Sequence, residues 1–375
     1  MTNPLKPSNA QLLVNGKAYG GFKSISIKQS VEAISSVFSF DFSDMWTGTE
    51  EPWPLNCQDL VQIELYGKIV LRGYIDVLRG DLGSDTISYT IEGRDKTSDL
   101  IDCSVEEKTY TSIALLPLVQ DLCKEFPVSF AVSGGVSGRE MVKNIRADFG
   151  ETVFEVLDRI AGKTGVLFVP DGKGDLVITT RGDSKAAVKL IEGSNAKSFS
   201  FSKDYSQRFS EYIIQGSTSK ANSETAPSGW FDGKPGSKAA TKSSPRADVQ
   251  DRGVTRRRPL RIKQTGNADG GTTKKKAIWE ANVRAAKSLE ITCNVQGWTQ
   301  DGQRLWRINE MVNVIAPRLG IGNAFGDEYL IAEVEYALSP DGGETTYLKL
   351  LPKEAFIPED QVDKKKRDTK GKSWF

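Results

Sequence analysis

Apolar residues return at every second position in one short stretch after another. Ile25 and Ile27 alternate with Ser24, Ser26 and Lys28; Phe38, Phe40 and Phe42 alternate with Ser39 and Asp41. Val61, Ile63 and Leu65 alternate with Gln62 and Glu64; Ile87, Tyr89 and Ile91 alternate with Ser88, Thr90 and Glu92. Successive side chains of a strand point to opposite faces, so a period of two marks a strand with one buried face. Leu12-Leu13-Val14, Asn15-Gly16 and Lys17-Ala18-Tyr19 predict a hairpin, because Asn-Gly supplies the positive φ of a type I′ turn. Gly67, Gly73, Gly80 and Gly83 are read as turns or bends. Residues 1–103 are therefore expected to form a first small β-barrel.

The period changes over residues 104–196, which are read as a small α+β domain. Leu115, Leu118, Val119, Leu122 and Phe126 fall at helical spacing, with Ser112 as N-cap and Pro117 in the first turn. Thr152-Val153-Phe154-Glu155 matches a capping box, followed by the stripe Val153, Val156, Leu157 and Ile160 and a stop at Gly162 or Gly165. Val166–Val169, the turn Pro170-Asp171-Gly172-Lys173-Gly174 and Leu176–Ile178 predict a hairpin. Residues 197–357 return to strands as a second β-barrel domain, near Phe199, Phe201 and Tyr212–Ile214, then Ile291–Val295, Met311–Ile315, Tyr329–Leu338 and Thr345–Leu351. This domain carries an aperiodic, flexible insertion at about 217–258 and a helix at about 273–290, with Ile278, Ala281, Ala285 and Leu289 on its apolar face. Lys274–Lys276 sit at the positive end of that helix dipole and are read as solvated or facing an anionic partner. Residues 358–375 are expected to be a flexible tail.

The two β regions echo each other in order. Phe40-Asp41-Phe42 before Trp46 resembles Cys293-Asn294-Val295 before Trp298. Leu60-Val61-Gln62-Ile63 resembles Met311-Val312-Asn313-Val314. Asp76-Val77 followed by Thr86–Tyr89 resembles Glu333-Val334 followed by Thr345–Leu348. The shared order points to internal duplication, although two unrelated twisted sheets would produce some of the same echoes. The expected fold class is thus mainly β with α+β insertions: two small β-barrel domains related by duplication, plus a small α+β domain.

Histidine is absent, 0 in 375 residues. That removes His-based triads, His metal sites and imidazole acid–base chemistry together. Lys+Arg is 50 against Asp+Glu 49, a net charge of +1, so no global field draws the chain to nucleic acid or anionic lipid. Cys57, Cys103, Cys123 and Cys293 have no zinc-like spacing and are read as free, mostly buried thiols of a reducing compartment. No signal-like N-terminus and no apolar run near ~20 residues appears, so a soluble chain made in a cytoplasm is expected.

The remaining candidates each have a structural reading that outweighs the chemical one. Gly172/Gly174 and Gly320/Gly322 are not nucleotide fingerprints and read as turns. Glu92, Arg94, Asp95, Lys96 and Asp99 could form a carboxylate site, but such a cluster more often ties a domain junction or a subunit interface. Glu50-Glu51 and Glu106-Glu107 read as solvated pairs. Arg252, Arg256, Arg257, Arg258 and Arg261 are read as a protein-contact patch ahead of a solvated loop or a phosphate site. Trp46, Trp279, Trp298 and Trp306 are read as core or interface anchors. No catalytic, cofactor-binding or metal residue is assigned.

Several strings together resemble a known family. They are Gly73-Tyr74-Ile75-Asp76, then Gly93-Arg94-Asp95-Lys96-Thr97-Ser98-Asp99-Leu100-Ile101-Asp102-Cys103, then Glu151–Leu157 with Gly165-Val166-Leu167 and Gly174-Asp175-Leu176-Val177. Arg208-Phe209-Ser210-Glu211-Tyr212, Gly297-Trp298 with Leu305-Trp306, and Leu351-Pro352-Lys353-Glu354-Ala355-Phe356 complete the set. In this order they resemble the bacteriophage Mu-type baseplate hub, the tail protein P family, related to late-control D-type hub proteins of contractile tails. The resemblance implies a non-enzymatic homotrimeric ring with a central channel, in the virion's tail baseplate and assembled in the host cytoplasm. It implies a tail spike below, a tail tube or distal tube-adaptor above, the tape measure end inside and baseplate wedge proteins around it. DNA would pass only in transit, and no stable membrane association or cofactor is implied. The competing readings are a type VI secretion-like spike or hub subunit, a carboxylate-based peptidoglycan-cleaving tail enzyme and a nucleic-acid-binding module.

Overall fold

Strands form where the alternation predicts them. The computed structural model describes residues 9–44, 54–83, 87–182, 184–217, 245–267, 270–319 and 328–356. β1 (Ala10–Val14) and β2 (Lys17–Tyr19) make the hairpin, with Asn15 and Gly16 at φ 50° and 81° as the type I′ turn demands. β3 (Phe22–Ser30), β4 (Val37–Asp44), β5 (Leu60–Leu65), β6 (Lys68–Leu82) and β7 (Ile87–Asp95) follow. Ile25, Ile27, Phe38, Phe40, Val61, Ile63 and Ile91 are buried as the period of two requires. Each contributes roughly 1.5–3 kcal/mol relative to exposure.

Gly73 and Gly93 are not turns. They lie inside β6 and β7, where Gly73 pairs with Asp95 and Ile75 with Gly93. A Cβ on Gly73 would run into the Arg94 carbonyl, and one on Gly93 into the Tyr74 carbonyl and the Phe38 ring. The two glycines let these strands approach more closely than side chains allow. Gly80 is also within β6.

The α+β elements have their own core. After the short α1 (Asp99–Asp102) come β8 (Lys108–Ala114), α2 (Leu115–Cys123), β9 (Phe130–Val132), β10 (Met141–Ala147), α3 (Val153–Thr164), β11 (Leu167–Pro170) and β12 (Leu176–Thr179). α3 begins with the full capping box, Thr152 Oγ1 accepting from the Glu155 N–H and Glu155 accepting from the Thr152 N–H, and ends at Gly165 with φ 73°. Its stripe Val153, Val156, Leu157 and Ile160 packs with Leu115, Leu118, Val119 and Leu122 of α2. The expected Ser112 cap of α2 is a correction: Ser112 lies in β8, and Ala114 stands at the N-cap without a side-chain bond. Strand pairing of β8 with β10 took those residues first. Pro117 is in the first turn, as expected.

β13 (Ser184–Lys185), β14 (Leu190–Ile191) and β15 (Ala196–Lys203) lead out of this region. The chain then divides: Asp204–Ser288 forms a compact unit separate from the rest of the described chain. In that unit β16 (Glu211–Ser217) lies between β17 (Arg246–Gln250) and β18 (Pro259–Asn267), with α4 (Gly270–Lys287) packed against β16 and β17. Residues 218–244 of the expected flexible insertion lie outside the described residues. Residues 246–250 correct that reading, because Ala247 and Val249 alternate with Arg246, Asp248 and Gln250 in a strand, while 251–258 carry neither helix nor strand. The buried face of α4 is Thr273, Ala277, Ala281 and Ala286 rather than the expected Ile278, Ala281, Ala285 and Leu289. Small side chains give the tighter helix–sheet fit, and the larger Ile278 is left only half-buried.

The first unit resumes with β19 (Leu289–Gln296), β20 (Glu310–Ile315), β21 (Glu328–Ser339) and β22 (Gly343–Leu351). One path runs β15-β19-β22-β21-β3-β4-β7-β6-β5-β1-β2, with β20 on β21 and β13 and β14 on β20, in a 14-stranded sheet of the described residues. The fold is mainly β, but no closed barrel is found among the described residues. Strands of the two expected barrels join at β21 and β3, where Glu333–Leu338 pairs with Ser30–Ile25.

Asp95 ties the end of β7 to the loop between β3 and β4. It is fully buried; Ser35 Oγ donates to its carboxylate at 2.8 Å, the Ser36 N–H at 2.8 Å and the Thr97 N–H at 3.2 Å. Asp95→Ala would leave these donors unmet, and a loss of about 3 kcal/mol is expected in denaturant unfolding. Burial pushes the Asp95 carboxyl up against these bonds. The folded chain thus holds that proton more tightly than the unfolded one. This group favours folding most below about pH 4 and loses its contribution as pH rises through the raised value. The stability difference between Asp95→Asn and wild type should accordingly move toward the Asn variant as pH rises, measured by unfolding across that range. Gly93→Ala is expected to lower stability by at least about 2 kcal/mol through overpacking, read as a drop in thermal midpoint.

Candidate functional site

The charge cluster that sequence reasoning singled out does not converge on a reaction centre. Asp95 turns into the core, while Arg94 turns outward. The Arg94 guanidinium holds Asp76 on β6 at 2.8 Å and grips Asp102 on α1 with two bonds, at 2.7 and 3.2 Å. These bonds hold Asp102 below the usual carboxylate range. Glu92 is paired with Arg79 across the strands. Asp99 is pushed up, first by burial and then by Asp102 beside it. Two fork-geometry bonds between a strand and a helix make a joint, and a carboxylate gripped in this way is a poor proton carrier. The hollow beside it, lined by Ser26, Val37, Phe38, Ser39, Asp76 and Glu92, is an open trough on the sheet. No group of three or more Cys, Asp or Glu placed to hold a metal occurs among the described residues.

The arginine-rich segment serves the second unit from within. Arg258 donates to the carbonyls of Tyr205 and Ser206, each at 2.7 Å, and lies 5.1 Å from the centroid of the Phe209 ring. Arg284 of α4 approaches the same ring at 5.6 Å. Arg208 binds Asp251 by two bonds of 2.6 and 3.0 Å and covers Tyr205 at 4.7 Å. The string from Arg208 to Tyr212 is thus a packing motif in which two guanidinium groups approach one aromatic ring. Arg252, Arg256, Arg257 and Arg261 are exposed, as is Lys274. Phe209 as the organising ring went unread, because its partners are tens of residues away.

Trp298 and Trp306 are core residues, 1% and 2% exposed. The Trp298 Nε1–H donates to the Ala337 carbonyl at 3.0 Å, and the Tyr336 hydroxyl donates to the Trp306 carbonyl. Trp279 is half-buried on α4. Trp46, Glu50, Glu51, Gly320, Gly322 and the tail from 357 onward lie outside the described residues. Gly172 and Gly174 are the hairpin turn of β11 and β12. Glu106 and Glu107 each meet a cation, Lys124 and Arg146. Cys123 and Cys293 are buried, with thiols pushed up to about 12 by burial, whereas Cys57 and Cys103 are exposed, against the expectation of mostly buried thiols. No helix among the described residues is long and apolar enough to cross a membrane.

Comparison with known proteins gives this arrangement its context. Residues 9–95 match the N-terminal domain of Mu phage baseplate assembly protein GpP-like proteins, residues 97–180 the second domain of baseplate hub protein gp44-like proteins, and residues 270–359 the fourth domain of Mu phage baseplate assembly protein GpP. The baseplate hub protein gp44 of Escherichia phage Mu is 30% identical over 368 residues, 95% of this chain and 91% of that protein. The fold is similar to a 43 kDa tail protein of prophage MuSo2 from Shewanella oneidensis, with TM-score 0.78 and 28% identity over 92% of this chain and 98% of that one. It is also similar to a tail protein from Neisseria meningitidis, with TM-score 0.76 and 19% identity over 93% and 98% of the two chains. A type VI secretion component of Escherichia coli shares the fold at TM-score 0.53 and 9% identity, over 91% and 76%. The matched families are structural parts of a phage virion's tail, not enzymes. The chain belongs to the family of Mu-type baseplate hub proteins.

Proposed function

We propose that this baseplate hub protein acts as a homotrimeric ring with a central channel, built from two like β modules per chain. The observation that carries the reading is the matching order of strands in the two β regions. The first runs β3-β4-β7-β6-β5, and the second runs β15-β19-β22-β21-β20. Their irregularities fall in the same places. β3 and β15 each bulge one residue after their start, between Phe22 and Ser24 and between Ala196 and Ser198. β6 and β21 each bulge against their hairpin partner, between Ile75 and Val77 and between Ile331 and Glu333. Bulges are designed features of a strand, so their coincidence supports duplication more strongly than residue likeness. On these bulges Asp76 corresponds to Ala332, one residue away from the Glu333 that the sequence echo suggested. Asp41 corresponds to Asn294 and Leu60 to Met311, as that echo has them.

On this reading residues 1–103 and 197–357 supply the β modules, 104–196 a decorating α+β domain and 358–375 a tail. Three chains with two modules each present six near-equivalent faces, so a three-fold spike can meet a six-fold tube without a symmetry mismatch. The partners are the tail spike, the tube or its distal adaptor, the tape measure end and the wedge proteins. No catalytic, cofactor or metal residue is assigned.

Light scattering with negative-stain imaging of the purified chain tests the ring. A mass of three chains around an open centre is expected. A chain that stays monomeric or dimeric at every concentration would overturn it.

A further inference from the structure

The junction of β21 with β3 joins the two modules inside one chain, and each of these strands has a counterpart without such a partner. By the shared bulges β6 corresponds to β21, and β15 corresponds to β3. The correspondence of β3 and β15 is visible in sequence as well, since Lys23-Ser24-Ile25-Ser26-Ile27 aligns with Lys197-Ser198-Phe199-Ser200-Phe201. Among the described residues β5 covers one side of β6 only as far as Tyr74, and the segment from Val77 to Leu82 pairs on its β7 side alone. Among the described residues β15 pairs along its length with β19, as the end of the sheet path, and its other edge meets only Glu192, in an isolated bridge at Ala196. An eight-residue edge strand left open in this way is a template for another chain.

Resting on the ring reading above, we propose that β15 of one subunit pairs antiparallel with the second half of β6 of the next, in the register that β3 and β21 use within the chain. Within the chain Lys28 faces Glu335, Ile27 faces Tyr336 and Ser26 faces Ala337. The equivalent pairs between chains are Ser202 with Arg79, Phe201 with Gly80 and Ser200 with Asp81. Side-chain sizes complement each other at the central pair. Where the intrachain junction sets the large Tyr336 against Ile27, the proposed one sets Gly80 against the larger Phe201. Phe201 lies opposite Ile291, a core residue, so it stands on the core face of the sheet, yet it is 50% exposed. The Tyr89 ring leans over Gly80, where a Cβ would meet it at 3.0 Å. Phe201 from the neighbouring subunit would pack beside that ring on the same face of the sheet. The contact is head-to-tail, so it propagates around a ring and closes when the rotation per subunit allows it. Six like junctions then join three chains, three within subunits and three between them.

Cysteine pairs test the register. In a Cys57→Ser, Cys103→Ser background, Asp81→Cys with Ser200→Cys sets two thiols directly opposite, whereas Asp81→Cys with Ser202→Cys sets them diagonally, beyond disulfide reach. Mild oxidation should convert the first variant into covalent dimers and trimers on a non-reducing gel and leave the second largely uncrosslinked. Phe201→Asp supplies an independent measurement: the three-chain mass should fall to one chain, with the unfolding midpoint of the single chain unchanged. A three-chain ring that fails to crosslink at 81 and 200, or that survives Phe201→Asp, overturns the edge pairing and leaves the ring standing. A parent chain that never trimerises removes the ring reading, and the inference with it.

Discussion

The pairing of Glu333–Leu338 with Ser30–Ile25 holds together regions of chain separated by some three hundred residues, and the rest of the first unit depends on it. It joins strands from both ends of the chain into one sheet and one core, in which Ile27 and Phe40 pack with Tyr336 and Leu348. Around that seam the polar groups are matched as well: Ser26 Oγ donates to Glu335 at 2.8 Å, and Lys28 meets Glu333 at 2.9 Å. Non-local pairing of this kind carries a large loop-closure cost. It therefore forms only where many contacts form with it, which makes the two β regions cooperative rather than independent beads. The Asp204–Ser288 unit, inserted between β15 and β19, keeps its own small sheet, helix and aromatic anchor.

The charged residues of the chain are used for joints rather than for chemistry. Arg94 spans β6 and α1, Arg208 and Arg258 fold the second unit on itself, and Asp95 orders a loop through Ser35, Ser36 and Thr97. Bidentate and charge-assisted bonds suit this task because they fix orientation as well as distance.

Much of the fold was legible in the sequence because it is written locally. The Asn15-Gly16 turn, the Thr152–Glu155 capping box and the alternation of Phe38, Phe40 and Phe42 each act within a few residues. What was misread was decided at a distance. Gly73 looks like a turn residue until its strand is seen to press against the one that carries Gly93. Ser112 looks like a helix cap until β10 claims it for a ladder. The Ile278 face of α4 looks like the buried one until the sheet beneath it selects alanines. The short alternation from Arg246 to Gln250 is too brief to stand out from its surroundings. In the candidate site, the string around Arg94 marked the family, but the role of its charges required knowing that Asp76 and Asp102 lie within reach.

By itself the sequence determined a mainly β fold, the absence of histidine and the family, because periodicity, composition and an ordered set of strings are properties of the chain read in one dimension. It also carried the repeat of Lys-Ser-Ile-Ser-Ile as Lys-Ser-Phe-Ser-Phe, whose meaning depends on where each copy sits in a sheet. Only the tertiary structure decided that the two β regions share a sheet, which strand edges are covered and which carboxylates are buried or gripped. Strand order and edge exposure follow from long-range pairing, and a period of two says which face of a strand is buried without saying which strand lies beside it.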